Sequence, residues 1–160
     1  MERVITVGLG EVAVSDQPEA VLVAFGLGSC VGIAAYDPVR KAGGLLHAML
    51  PQHRNGDGNL TKYVDTGIPE LLNRLLALGA KQERVIWRYV GGAQMLTAPG
   101  LSDRFNIGAQ NVLMTHEVMA RYLLRVMGHD TGGHQGRTVR LFIADGRLLV
   151  RGVNGPEREL

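Results

Sequence analysis

The chain contains one cysteine, Cys30, and five histidines. A thiol is the strongest nucleophile among the side chains, but only its thiolate attacks. At its ordinary pKa of about 8.5 only a few per cent is ionised at neutral pH, so a partner base is needed. His47 is the candidate. If the apolar runs Val31–Tyr36 and Lys41–Leu50 form a hairpin around Asp37-Pro38-Val39-Arg40, the register sets Cys30 opposite His47. Directly opposed residues share a sheet face with Cβ atoms about 5 Å apart, within reach for a thiol–imidazole contact. The pairing depends on that register. A cysteine in an apolar run also reads as an inert core thiol, and a histidine between Leu46 and Ala48 as a packed core side chain.

Cys30 ends the turn Gly26-Leu27-Gly28-Ser29-Cys30. Gly26-x-Gly28 resembles the start of a dinucleotide fingerprint, but its third glycine would fall at Val31. An apolar run of strand character follows where that fingerprint needs a helix. The turn is better read as a device that presents Cys30. His116 falls on a helical stripe and reads as packed, whereas His53, His129 and His134 fall in predicted loops. No carboxylates cluster with them at ligand spacing, so no metal site is expected. Arg137 reads equally as a solvated charge or as a contact for an acidic partner.

The elements that must position these residues follow from periodicity. Val4–Val7, Val12–Val14, Val21–Phe25, Val31–Tyr36, Gly43–Leu50 and Arg84–Val90 are short apolar runs bounded by turn residues, and read as strands. Asp65–Leu78 reads as a helix with the stripe Ile68, Leu71, Leu72, Leu75 and Leu76, capped by Asp65 or Thr66 and stopped by Gly79. A second helix is expected over Gly108–Met127, with Val112, Met119, Leu123 and Val126 inward and Gly128 as its stop. Thr138–Ile143 alternates and leads through a two-residue Asp145-Gly146 turn into Leu148–Arg151. Pro51–Asn59 and Thr97–Phe105 read as loops, the first mobile. The helices do not alternate regularly with the strands. An α+β fold is expected, layered, with mixed and largely antiparallel sheets and two main amphipathic helices. It forms a single domain over residues 1–152 with a polar, frayed tail over 153–160.

Composition narrows the function classes. At 160 residues the chain can bury a core without staples, and its one cysteine rules out an internal disulfide or a thiolate zinc site. Net charge is +2, and no basic run is interleaved with aromatics, so nucleic-acid binding has no support. Met1–Val14 carries Glu2, Arg3 and Glu11 and lacks the core of a secretory signal. Ala20–Tyr36 is uncharged, but as a helix it would rise only about 25 Å, short of the roughly 30 Å of a bilayer core. Its glycines also argue for a soluble segment broken by a turn, so no membrane insertion is expected. Glycine, at 22 residues, is about twice as common as usual.

Several blocks together resemble the CheD chemoreceptor glutamine deamidases. They are Gly26-Leu27-Gly28-Ser29-Cys30-Val31, Asp37-Pro38 and Gly43-Gly44-Leu45-Leu46-His47-Ala48-Met49-Leu50-Pro51. Lys62-Tyr63-x-Asp65, Gly91-Gly92-Ala93, Ile107-Gly108-x-x-Asn111 and Gly132-Gly133-x-x-Gly136-Arg137 follow in order. The resemblance implies a cytoplasmic protein-glutamine deamidase that converts Gln side chains of chemoreceptor helices to Glu in chemotaxis, without a cofactor. It implies the layered fold of glutamine-deamidating bacterial toxins, a CheC-type phosphatase as partner, and Cys30 and His47 as catalytic residues. Under that reading the Cys30 thiolate attacks the carboxamide, N–H groups of the Gly28-Ser29-Cys30 turn hold the oxyanion, and a thioester is hydrolysed.

One position departs from the family. A threonine usually stands six residues before the cysteine and helps orient the histidine; here that position is Ala24. Ser29, Thr115 or a backbone carbonyl could replace it. The same departure supports an alternative, a CheD-like regulatory module of the phosphatase with weak or no deamidase activity. A Cys-dependent hydrolase of small amides would also use such a pair, but leaves the full-length likeness unused.

Overall fold

The computed structural model describes residues 1–95 and 106–160. Its organising hairpin is the expected one, in a different register. Strands β4 (Val31–Asp37) and β5 (Ala42–Ala48) are antiparallel, with Asp37 opposite Ala42 and Gly32 opposite His47. The turn is Pro38–Lys41 because Asp37 joins the strand. Its carboxylate accepts the N–H of Val39 at 2.9 Å and of Arg40 at 3.0 Å, and its carbonyl accepts that of Lys41 at 2.8 Å. Cys30 therefore does not face His47 directly. It lies two residues before Gly32, and a shift of two keeps both residues on one face of the sheet.

The remaining strands are β1 (Arg3–Thr6), β2 (Val12–Ser15), β3 (Ala20–Leu27), β6 (Ile86–Gly91), β7 (Arg125–Thr131), β8 (Arg137–Phe142), β9 (Leu148–Gly152) and β10 (Arg158–Glu159). They build one sheet in the order β1-β3-β8-β9-β10 and another in the order β2-β5-β4-β6-β7. Only β1–β3 and β6–β7 are parallel pairs among the described residues. The fold is thus α+β, with mixed, mainly antiparallel sheets. Uncharged Ala20–Tyr36 becomes β3, the Cys30 turn and β4, and no described helix is long and apolar enough to cross a membrane.

Strand alternation creates the layers. Leu22, Ala24, Leu27, Ala34, Leu45, Val90, Val139 and Leu141 fill the space between the two sheets. Ile33, Leu46, Trp87 and Tyr89 point the other way, onto helices α1 (Val64–Ala77) and α2 (Ile107–Arg121). Ile68, Leu71 and Leu75 of α1 are fully buried, whereas Leu76 is exposed. Neither expected cap acts as one: Tyr63 is the N-cap residue, Asp65 accepts the His53 N–H, and Thr66 donates to the Leu60 carbonyl.

Helix α2 is shorter than its apolar spacing suggested. It stops at Arg121, Leu123 takes a left-handed φ of 54°, and Val126 belongs to β7. No glycine or proline marks this end. Leu123 is 91% exposed, so its side chain contributes no packing there. Leu123→Gly relieves the backbone strain, and we expect a gain of about 0.5–1 kcal/mol, read as a midpoint rise of a few degrees in thermal unfolding.

A further expectation is corrected. The β8–β9 connection is the four-residue loop Ile143–Gly146 between Phe142 and Arg147, closed by Gly146 N–H donating to the Phe142 carbonyl at 2.7 Å. Beyond residue 153, where a polar tail is expected, β10 pairs with β9, Leu160 N–H donates to Leu148, and Arg140 pairs with Glu157. Short strands like β10 leave no periodicity to detect. The segment Thr97–Phe105, expected to be a loop, lies outside the described residues.

Candidate active site

Cys30 sits between β3 and β4. A register shift between Ala24 and Leu27 marks a bulge in β3, and Gly26 takes φ 61° there, a conformation that suits glycine. Three successive carbonyls of the turn are then tied down on one side. Gly28 accepts from Ala93 N–H at 2.8 Å, Ser29 from the Asn111 side chain at 2.9 Å, and Cys30 from Gly92 N–H at 2.8 Å. Gly91 runs so close behind the turn that a Cβ there would overlap the Cys30 carbonyl oxygen. The space beside Gly28 is not empty, since the Met95 side chain fills it.

The Cys30 side chain is half-buried and packs against the layer between the sheets. Burial pushes its thiol pKa up, and a hydrogen bond from its own backbone N–H partly offsets this. His47 lies on the same face of the second sheet and is 3% exposed. Its Nδ1 is 3.0 Å from the carbonyl oxygen of Val7. A carbonyl only accepts, so Nδ1 carries the proton and Nε2 carries the lone pair. Nε2 is buried and has no hydrogen-bond partner among the described residues, and no thiol–imidazole hydrogen bond is formed. The structure thus puts Cys30 and His47 on a common face as diagonal neighbours.

Ala24 offers His47 no side-chain hydrogen bond, and the group that meets the His47 ring is the backbone carbonyl of Val7. Ala24 is buried in β3, while Thr115 is turned away and donates to the Asn111 carbonyl at 2.7 Å. Val7 follows β1, and its N–H donates to Val23 at 2.8 Å, so the acceptor for His47 is anchored to the first sheet. A backbone acceptor has no side-chain signature, which is why no sequence motif reveals it. Asn111 is a further residue that residue chemistry alone did not single out. Its signals are its place in the Ile107-Gly108-x-x-Asn111 block of the resemblance and a polar side chain at helical spacing to buried Thr115 and Val118.

The remaining candidates lie elsewhere. His116 is exposed, not packed in the core; its Nδ1 meets the Tyr89 hydroxyl, and its ring sits edge-on to His129 of β7. Burial, then the charge of His129, lowers the His116 pKa. The Pro51–Asn59 loop is tied down by His53 Nε2 against the Asp57 carbonyl at 2.8 Å and by Tyr63 donating to Asp57 at 2.6 Å. Arg137 donates to the Gly132 carbonyl at 2.8 Å and pairs with Asp130 at 3.4 Å, which makes it a brace of its own loop. No three described His, Cys, Asp or Glu side chains are grouped to hold a metal. Beside the Cys30 turn, Ser29, Ala93, Met95 and Gly108 help line a recess of about 100 Å³. That is well under the roughly 300–1,000 Å³ of small-molecule and cofactor pockets.

A half-buried cysteine at a glycine-bearing turn, with a histidine on the same sheet face whose Nδ1 meets a backbone carbonyl, has the residue types that thiol-dependent acyl transfer would need. Comparison with known proteins gives the family. The model of the family "CheD chemotactic sensory transduction" matches residues 49–152. A protein of Symbiobacterium thermophilum named "Probable chemoreceptor glutamine deamidase CheD" is 44% identical, over 99% of this chain and 98% of its own length. Proteins of the same name from Pyrococcus abyssi and Caldanaerobacter subterraneus are 44% and 42% identical, covering 97% and 93% of this chain and 95% and 93% of their own. The chain belongs to the CheD family. These full-length matches extend over the Cys30 and His47 segments that precede the family-model match.

Proposed function

We propose that this protein is a chemoreceptor glutamine deamidase in which Cys30 is the nucleophile and His47 the base. The observation that carries the mechanism is the Val7 carbonyl on His47 Nδ1, which leaves Nε2 as the free proton acceptor on the face shared with Cys30. The thiol–imidazole hydrogen bond forms on substrate binding in this reading, as catalytic hydrogen bonds often tighten only then. Nε2 takes the thiol proton, and the thiolate attacks the carboxamide carbon of a receptor Gln. The oxyanion is held by backbone N–H groups of the Gly28-Ser29-Cys30 turn. The proton on Nε2 passes to the departing ammonia, leaving a thioester that water hydrolyses to Glu.

The Val7 contact also weighs against the alternative of a weakly active regulatory module, because His47 is oriented without a threonine. A CheC-type phosphatase as partner and a cytoplasmic location, where the receptor helices lie, complete the proposal. The test is peptide mass spectrometry of a chemoreceptor cytoplasmic fragment incubated with the protein. Conversion of specific Gln to Glu, with free glutamine left intact, is expected. Hydrolysis of free glutamine with the receptor untouched would replace this reading with a small-amide hydrolase.

Gly91 gives a second test. Gly91→Ala places a methyl group against the Cys30 carbonyl at φ 120°. The turn must shift, and a misplacement near 1 Å lowers a rate by about a hundredfold. Initial deamidation rates per folded molecule, with folding checked by circular dichroism, should show that loss.

A further inference from the structure

Asn111 of α2 is completely buried, 0% exposed. Its Nδ2 donates to the Ser29 carbonyl at 2.9 Å and to the Met49 carbonyl at 2.9 Å, so both amide protons are used. Ser29 immediately precedes Cys30, and Met49 follows His47 by two residues. Within the β4–β5 ladder the pairing ends at Val31 opposite Ala48, just short of both. One side chain therefore bridges the two segments where the strand ladder stops doing so. The contact is built in from α2: a Cβ at Gly108, one turn earlier, would overlap the Ala93 carbonyl oxygen and approach that of Gly92 at 2.6 Å. Asn111 Oδ1 is buried without a partner among the described residues, an arrangement that costs stability. A side chain kept only for stability would not be expected to carry that cost.

We infer that Asn111 is the positioning residue of the pair, holding the Cys30 turn in register with the strand end that carries His47. The inference rests on the Cys30–His47 reading. Because the chain has a single cysteine, alkylation by iodoacetamide reports on Cys30 alone, without any receptor. The pH dependence of that rate should move to higher pH in His47→Ala, which leaves the buried thiol without its base. Asn111→Ala should give the same displacement and lower kcat on a receptor fragment by about a hundredfold, with KM little changed. Asn111→Ser keeps one donor and should fall between; it carries the test if the alanine variant does not fold. Thr115→Val, a buried polar change one turn further along α2, should match the wild type.

A His47→Ala profile that differs from wild type, beside Asn111→Ala and Asn111→Ser profiles that do not, would overturn the role of Asn111 and leave the pair standing. Equal displacement by Thr115→Val would reduce Asn111 to a structural residue. A His47→Ala profile identical to wild type would remove the pair, and the coupling with it.

Discussion

His47→Ala is expected to lower the deamidation rate roughly a thousandfold, the middle of the range for losing a positioned general base and acid. The expected effect is large because, in the proposed mechanism, one nitrogen performs both proton transfers. Nδ1 is committed to the Val7 carbonyl at 3.0 Å, so only Nε2 can take the thiol proton and return it to ammonia. The variant also leaves the buried Val7 carbonyl without its donor, a stability loss of about 1–3 kcal/mol. Rates must therefore be measured below the unfolding transition, with the folded fraction known. With Cys30 and His47 acting as the proposed unit, the double alanine variant should be no slower than Cys30→Ala alone. A His47→Ala enzyme within about tenfold of wild type would place the base elsewhere.

The second large effect is on stability, and it comes from Asp37. The residue is fully buried at the end of β4, and its carboxylate accepts from the N–H groups of Val39, Arg40 and Lys81 and from the Arg84 guanidinium at 2.9 Å. Burial alone would raise its pKa. Arg84 and the three backbone donors more than reverse that, and bring it to about 2. Because the folded value lies below the unfolded value of about 3.9, the ionised carboxylate stabilises the fold above about pH 4. That contribution, about 2–3 kcal/mol, is lost as pH falls through about 2. Asp37→Ala removes it and orphans several donors, and we expect a loss of about 3–5 kcal/mol at neutral pH. Urea unfolding should show the gap between variant and wild type narrowing in acid. A gap that is constant with pH would mean the carboxylate is not ionised in the fold.

Asp37 also shows what the sequence conceals. The two strands, their turn and the shared face of Cys30 and His47 were legible from apolar runs bounded by turn residues. The register was not, because it depends on whether Asp37 is the last strand residue or the first turn residue. Its side chain decides that by accepting from Val39 and Arg40. The end of α2 was hidden for a different reason: Leu123 adopts a glycine-like φ without being glycine, so its apolar spacing continued the helix on paper. Strand β7, paired in parallel with β6, carries mostly exposed side chains and no alternation to reveal it. Of the proposed site, Cys30 and His47 were nameable from residue chemistry. Val7 was not, because its contribution is a carbonyl.

The most direct measurement compares wild type with Cys30→Ala on the same chemoreceptor fragment, following each receptor Gln by peptide mass spectrometry. Wild type should convert specific Gln to Glu through a thioester on Cys30 that hydroxylamine releases, and Cys30→Ala should convert none. Conversion by Cys30→Ala at the wild-type rate would contradict the account.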